Sequence, residues 1–230
     1  MEHGFSWVGA IPGLDKLPSH SVTATLVAFL VLAAAWLARR QLDAAADPLI
    51  PDGRPSARQL FEVITSFIDD MVQGMIGHHG RETVPLLATL FTFILFANLI
   101  GLLPGFTPPT GNLGTTFGLG IVSFLIYNYL GFREHGVAYL KHFIGPVIWL
   151  APLMAIVEVL SHVFRPVSLA IRLFGNMFAD HLVLGIFTDL TKLVIPVAFY
   201  VLGAFVCVLQ AFVFTILSTV YIALAVAHDH

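Results

Sequence analysis

Long apolar stretches, separated by short polar connectors, dominate this sequence of 230 residues. No Asp, Glu, Lys or Arg occurs between Glu82 and Arg133, or between Lys192 and Asp229. The hydrocarbon core of a bilayer is about 30 Å thick, and a helix needs about 20 residues to cross it. The pattern therefore predicts five helices that span or enter a membrane, at residues 22–37, 83–103, 116–130, 147–188 and 193–227.

Residues 57–76 are predicted to form a sixth helix of a different kind. Apolar side chains recur there at helical spacing, at Leu60, Ile64, Phe67, Met71 and Met75. The polar positions fall largely elsewhere and are mostly acidic, so attraction to anionic lipid is not expected to hold this helix at the membrane. We expect an amphipathic interfacial helix that packs against a helix of a partner subunit.

The last two apolar stretches are too long for upright spans. About forty helical residues extend roughly 60 Å, so each helix must lie strongly tilted, or the first must break at Arg165 and Pro166. Glu158, Arg165 and Arg172 recur every seven residues and drift only about 20° per step on an unbroken helix. The sequence predicts an all-α membrane protein forming one domain over residues 1–230, with two long, tilted, antiparallel helices at its end.

Composition excludes a water-soluble globular protein. Hydrophobic residues make up 57% of the chain and charged residues 11%, against about 25% charged residues in soluble domains. The mean hydropathy is +0.88. Cys207 is the single cysteine, so no internal disulfide can form, and its apolar neighbours predict a small buried side chain.

The distribution of basic residues predicts the orientation of the chain. Basic residues concentrate on the cytoplasmic side of membrane proteins. With the N-terminus outside, seven Lys and Arg residues fall in inner connectors and two in outer ones. The inner residues are Arg39, Arg40, Arg54, Arg58, Arg81, Arg133 and Lys141, and the outer ones are Lys16 and Lys192. The C-terminus is therefore predicted to be cytoplasmic.

Arg172 lies within the apolar stretch 147–188 and is the most informative candidate for function. A guanidinium stays protonated at physiological pH, and placing one at the centre of a bilayer helix costs about 2.5–3.5 kcal/mol. One interpretation is a fixed charge that acts on a mobile ion. The alternatives are an arginine that extends to the membrane surface or a structural pair with Glu158.

Two segments resemble the a subunit of F-type ATP synthases. One is Ser168 to Met177, which contains Arg-Leu-Phe-Gly-Asn, and the other is the block Leu-Gln-Ala-Phe-Val-Phe at residues 209–214, with Tyr221 beyond it. Asn98, before Leu-Leu-Pro at residues 102–104, fits the same pattern. The resemblance implies a bacterial inner-membrane stator subunit that contacts a rotating ring of c subunits, b-type peripheral stalk subunits and the remaining synthase subunits. It also implies two offset half-channels for the driving ion.

The resemblance assigns roles to individual residues. Arg172 would face the carboxylates of the rotor, with Asn176 as a neutral hydrogen-bonding neighbour and Gln210 approaching from the facing helix. Hydrogen bonding that only holds helices together is the alternative for both amides. Glu158 would line a channel, although pairing with Arg165 is an equal alternative. Asn98 and Asn112 would line the outer half-channel or serve in packing and turns.

A titratable pair is expected at His181, with its second member at Gly203 on the last helix. Glycine cannot titrate, so this chain departs from the family pattern at that position. Asp180 is the candidate for the missing carboxylate, and His181 is a plausible proton relay because its ordinary pKa is near 6.5. A buried, hydrogen-bonded histidine is the alternative.

Other classes of function fit the sequence less well. A secondary transporter is the alternative, but inverted repeats with broken helices are missing. A membrane hydrolase would need a Gly-x-Ser-x-Gly turn or zinc-ligand spacing, and neither is present. His78, His79, His135 and His142 lack metal-ligand spacing. No metal, cofactor or nucleic-acid partner is expected. Nor is an ATP site, because a glycine-rich phosphate loop is missing, so the chain is predicted to be a non-catalytic subunit.

Overall fold

The computed structural model describes residues 18–44, 56–136, 139, 151–190 and 194–226. These residues form six α-helices joined in part by short 3-10 turns, at His78–Thr83, Ile100–Leu102 and Pro109–Gly111. The helices are α1 (Ser19–Asp43), α2 (Ala57–Met75), α3 (Val84–Leu99), α4 (Leu113–His135), α5 (Ala151–Leu190) and α6 (Val194–Val226).

Short polar side chains set where two of the helices begin. The side chain of Ser56 accepts a hydrogen bond from the backbone N–H of Gln59 at the start of α2. Asn112 does the same for Gly114 at the start of α4. Each bond satisfies a backbone donor that the first helical turn leaves unpaired. Asn112 therefore has the turn role that the sequence allowed for it.

Five of the described helices are long and apolar enough to cross a membrane. Together with the amphipathic α2, they confirm the predicted all-α membrane fold. Helix α5 runs unbroken through Pro166 for 40 residues, as the spacing of its charged residues predicts. Helix α6 has 33 residues and is antiparallel to α5, because Phe187 stacks on Phe199 while Asn176 bonds to Gln210. The tilt of both helices stays a prediction.

One apolar core joins helices α2 to α6. Its buried members include Ile68, Leu87, Ile94, Leu173 and Phe214. Helix α1 packs separately against α3, through a small cluster of Val27, Ala97 and Ile100. In lipid, where apolar side chains gain little by leaving the hydrocarbon, the close packing of such a core contributes to holding the helices together.

Helix α2 buries only part of the apolar face that its sequence predicts, at Ile64 and partly at Met71. The side chains turned into the core are Ile64, Ile68 and Val72, whereas Leu60 and Phe67 stay exposed. Apolar residues cover a wide arc of this helix, so spacing alone could not show which part the chain itself buries. The remaining arc is exposed at Leu60, Val63 and Met75, and at Phe67, whose half-exposed ring also packs against Phe91 and Phe212.

The helix ends fall into two groups at opposite ends of the molecule. At one end, Arg133 of α4 pairs with Glu82 before α3 at 2.7 Å, and both line a cavity with Val226 of α6. We call this the Arg133 end. At the other, Gly101, after α3, lies against His181 of α5. We call this the Gly101 end. The predicted orientation makes the Arg133 end cytoplasmic.

Candidate functional site

Arg172 is exposed on the surface of α5, about midway along the helix. Among the described residues it has neither an ion pair nor a hydrogen bond. The neighbouring side chains on the outer surface are apolar, with Ile171 and Phe178 both more than half exposed. A permanent cation in such a setting lacks a counter-charge within the described part of the chain. The exposed guanidinium is open to water, lipid or another molecule.

The surface beside Arg172 is lined by small residues. Ser168 and Ala179, one and two turns away, are exposed, and Gly175 lies between Arg172 and Ala179. A Cβ added at Gly175 would meet no atom within 4 Å. Small residues allow a second helix to approach a membrane helix closely. The guanidinium therefore stands on a shallow surface that an adjacent helix can reach.

Asn176 and Gln210 form one polar pair next to Arg172. The Asn176 side-chain amide donates to Oε1 of Gln210 at 2.7 Å, from α5 to α6. Gln210 is buried, whereas Asn176 is exposed one turn from Arg172. The sequence placed both residues near the arginine, but it did not predict that they bond to each other. The acceptor oxygen of Gln210 is thus engaged by Asn176.

Arg165 differs from Arg172 in having internal partners. Its Nη2 lies 3.9 Å from Oε1 of Glu158, and its guanidinium is 5.5 Å from the centre of the Tyr221 ring. The ion pair is the structural alternative considered for Glu158. The carboxylate of Glu158 still keeps 38% of its side-chain surface exposed, so pairing and contact with water are compatible.

Asp180 occupies the space that Gly203 leaves on the facing helix. A Cβ built at Gly203 would lie 2.8 Å from Oδ2 of Asp180 and 2.9 Å from Leu102. Any side chain at residue 203 would therefore collide with the carboxylate. This contact puts a carboxyl group at the α5–α6 interface, where the expected second member of the titratable pair would have been.

His181 lies against the turn that follows α3. Its ring is hydrogen-bonded to the backbone of Gly101, and a Cβ at Gly101 would lie 2.9 Å from its Nε2 and 2.6 Å from Pro108. Gly101 therefore leaves the space that the imidazole occupies. The two neighbouring titratable residues, Asp180 and His181, thus each rest against a glycine of another segment.

Asn98 is fully buried and bridges three segments. Its amide donates to the carbonyl of Cys207 at 3.4 Å, and its oxygen accepts from the hydroxyl of Thr110 at 2.6 Å. These are packing contacts, which was one of the two roles considered for Asn98. They hold the Pro109–Gly111 turn against α3 and α6, next to His181. Cys207 is buried, as predicted.

A second polar cluster lies at the Arg133 end. His162 is buried, its Nε2 is 2.8 Å from Oδ1 of Asn128, and its ring packs edge-on against Phe124 and Tyr127. These contacts attach α5 to α4.

Sequence reasoning missed the roles of Gly101 and Thr110, because each depends on a contact with a distant segment. No spacing signal within one helix could have revealed them. No group of three or more potential metal ligands occurs within the described ranges. His142 lies outside those ranges.

Comparison with known proteins identifies the family. The model of the family "ATP synthase A chain" matches residues 21–223. ATP synthase subunit a of Bdellovibrio bacteriovorus is 46% identical over 227 residues, covering 98% of this chain and 99% of the relative. ATP synthase subunit a 3 of Pelobacter propionicus is 42% identical, covering 94% and 92%.

A third relative, ATP synthase subunit a of Trichlorobacter lovleyi, is 48% identical over 177 residues, covering 76% of this chain and 77% of its own length. The family match at residues 21–223 spans the positions of Arg172, Asp180 and Gln210. The chain belongs to the ATP synthase A chain family and is a proton-transporting subunit of the membrane sector of an F-type ATP synthase.

Proposed function

We propose that Arg172 is the fixed charge past which rotor carboxylates move, and that it separates two half-channels on this subunit. The outer half-channel would reach Asp180 and His181, and the inner one would reach Glu158. Protons that pass between the half-channels would have to travel on the rotor. Proton flow would thereby be coupled to ring rotation and to ATP synthesis in partner subunits.

The guanidinium of Arg172, exposed and without a partner among the described residues, carries this proposal. A cation near a carboxylate favours its ionised form and lowers its pKa. A rotor carboxyl group that reaches Arg172 would therefore release its proton. Arg172 cannot relay that proton itself, because a guanidinium is not deprotonated in proteins. Direct leakage between the half-channels would be blocked.

The order of the charged groups along α5 supports two separate routes. Asp180 follows Arg172 by eight residues and Glu158 precedes it by fourteen, which corresponds to about 12 Å and about 21 Å along the helix axis. Asp180 lies at the Gly101 end, and Glu158 lies towards the Arg133 end. Titratable groups therefore lie on both sides of the fixed cation. Each group could serve a separate proton route to one membrane surface.

The polar pairs around this path would act as positioning groups. Asn176 and Gln210 would keep uncharged polar groups beside Arg172, so that its charge is not cancelled. Asn98 would hold the turn near His181 through its bond from Thr110. A direct part for Asn98 in the outer half-channel stays within this proposal, as does the orientation with an outer N-terminus and a cytoplasmic C-terminus in the bacterial inner membrane.

Two uncovered surfaces suit the proposed partners. The small-residue surface around Arg172 would receive the c-subunit ring, because it exposes the cation and permits close approach. The outer arc of α2, with Leu60, Val63 and Phe67, would receive a b-type stalk helix. The remaining synthase subunits would provide nucleotide binding and catalysis.

The direct test is ATP-driven proton pumping into inverted membrane vesicles that carry Arg172→Ala or Arg172→Lys. Both variants should lose pumping, the second because a flexible ammonium can give up its proton whereas a guanidinium does not. Arg40→Ala is the matched control, since Arg40 stacks on Trp36 in α1, away from α5. Normal pumping by either Arg172 variant, at normal subunit levels, contradicts the proposal.

A further inference from the structure

A cavity of about 430 Å³ lies between the last turns of α1 and the first half of α2, away from the proposed proton path. Helix α1 provides one wall and helix α2 the other. The lining residues are Ala35, Ala38, Arg39 and Leu42 on α1, and Arg58, Phe61, Glu62, Thr65 and Ser66 on α2. Most of the lining surface is apolar. The charged side chains are Arg39 on α1, and Arg58 and Glu62 on α2.

The charges of the lining favour an anion. Arg58 is only 3% exposed, and its Nε donates to Oε1 of Glu62 at 2.6 Å. This pair is close to neutral, so Arg39 on the opposite wall leaves the cavity with a net positive charge. Thr65 and Ser66 add hydroxyl groups. Arginine is well suited to phosphate because its planar N–H groups match two phosphate oxygens at once.

The cavity lies where a phospholipid headgroup would be. The apolar run of α1 ends just before Arg39 and Arg40. Trp36, one turn earlier, is half exposed, and the Arg40 guanidinium lies 3.9 Å from the centre of its ring. Tryptophan with a nearby basic residue is typical of the boundary between hydrocarbon and headgroups.

Acyl chains would have an exposed surface to follow towards the membrane centre. Leu32 is one turn from Ala35, and Phe29 is one turn further. Both side chains are more than two-thirds exposed. A headgroup in the cavity could therefore connect to hydrocarbon chains that lie along α1, which a soluble phosphate compound could not use.

We propose that this cavity binds the phosphodiester headgroup of an anionic phospholipid, with Arg39 as the charge that attracts the phosphate and the Arg58–Glu62 pair as the opposite wall. The acidic polar face of α2 argued against general attraction to anionic lipid. The tertiary structure changes this locally, because it brings Arg39 of α1 opposite Arg58 and leaves Glu62 engaged by Arg58. The bound lipid would join α1 to α2 at the membrane surface.

The test uses the purified whole ATP synthase, depleted of lipid and titrated with dioleoyl phosphatidylglycerol or dioleoyl phosphatidylcholine. Native mass spectrometry would count the lipids retained by the complex. The matched variants are Arg39→Ala, which removes a lining charge, and Arg40→Ala, which removes the adjacent charge outside the lining. Ala35→Phe would fill the cavity without changing any charge.

We expect phosphatidylglycerol to bind the wild type and Arg40→Ala with similar affinity, and Arg39→Ala about fivefold more weakly, the effect of one basic side chain near an anionic surface. Ala35→Phe should lose the same lipid. Equal binding by the two arginine variants, or equal retention of phosphatidylcholine, overturns the proposal. So does equal protection of the complex against thermal dissociation by glycerol 3-phosphate alone.

A protein occupant is tested separately. A photoreactive maleimide attached to Leu42→Cys, at the lining, should label lipid in the intact complex. Cross-linking mainly to another subunit would show that a protein helix fills the cavity and would overturn the lipid assignment. None of these measurements depends on proton transport, so their outcome is independent of the role proposed for Arg172.

Discussion

Arg165 and Arg172 lie two turns apart on the same helix and have opposite environments. Arg165 is mostly buried, within 3.9 Å of Glu158 and beside the Tyr221 ring. Arg172 is exposed, and no described residue pairs with it. Two arginines of one membrane helix therefore differ. A described carboxylate lies near Arg165, and none lies near Arg172.

Under the proposed function, this difference distinguishes a structural charge from one that acts on another molecule. An arginine in a membrane helix normally pairs with another group or faces water. Arg165 meets that requirement within its own subunit, through Glu158 of α5 and Tyr221 of α6. No described residue pairs with Arg172, so its guanidinium is available to the carboxylates of the proposed rotor.

We expect Arg172→Ala and Arg165→Ala to differ most strongly in the rate of proton-driven ATP synthesis. Arg172→Ala should reduce synthesis to background, because nothing else would ionise the rotor carboxylates. Arg165→Ala should retain a measurable rate, since a partly exposed ion pair contributes only about 0–1 kcal/mol. The measurement is the rate of ATP formation in energised vesicles. Equal loss in both variants, at equal subunit levels, would erase the distinction.

The next largest loss of proton transport is expected from substitutions at Asp180 and Gly203, which lie against each other where α5 meets α6. Asp180→Gly should nearly abolish proton transport, and Gly203→Asp alone should also impair it, because its new Cβ would lie 2.8 Å from Oδ2 of Asp180. The double variant Asp180→Gly/Gly203→Asp should recover much of the rate, because the carboxyl group returns to the same space. Proton pumping by the three variants checks this, and a double variant no better than either single one would refute it.

A smaller loss is expected from blocking the surface beside Arg172. Gly175→Leu should slow ATP-driven pumping by impeding the approach of the ring, while the charge of Arg172 remains. Gly118→Leu on α4 is the matched control, because Gly118 is likewise a helical glycine with no atom within 4 Å of an added Cβ. Pumping rates should separate the two variants; equal rates would mean that no helix approaches Gly175.

The smallest effect should come from Gly101→Ala, which alters only the space around His181. An added Cβ would lie 2.9 Å from Nε2 of His181 and 2.6 Å from Pro108, so the ring or the turn must shift. We expect a partial loss of passive proton conduction through the membrane sector, measured after removal of the catalytic sector. Wild-type conduction in this variant would show that the position of His181 is unimportant.

Much of the fold could be predicted because a membrane helix has a local signal in the sequence, an uninterrupted run of apolar residues. In a chain of this composition such a run indicates a helix in the membrane. The bounds of α3, α5 and α6 were therefore predictable within a few residues. The phase of Glu158, Arg165 and Arg172 predicted that α5 passes through Pro166. Helix α2 was harder, because its apolar arc is wide and only packing shows which part is buried.

The residues proposed for the site could be named from the sequence, but their contacts could not. Arg172, Asn176, Asp180, His181 and Gln210 were all identified from the sequence. The bond between Asn176 and Gln210 joins residues 34 positions apart, and periodicity within a single helix carries no information about it. The contribution of Gly101 could not be predicted for the same reason. The space that it leaves for His181 depends on a distant segment and has no signal in the local sequence.

Hydropathy and helical phase act over a few turns, so the sequence was enough to identify a membrane protein of long helices with a charge in an apolar setting. The Glu158–Arg165 pair is also local, because both residues lie on α5, seven positions apart. Contacts between helices depend on how α4, α5 and α6 pack, and no spacing along one helix reveals them. That packing places Tyr221 of α6 beside Arg165 and leaves Arg172 exposed, without a partner among the described residues.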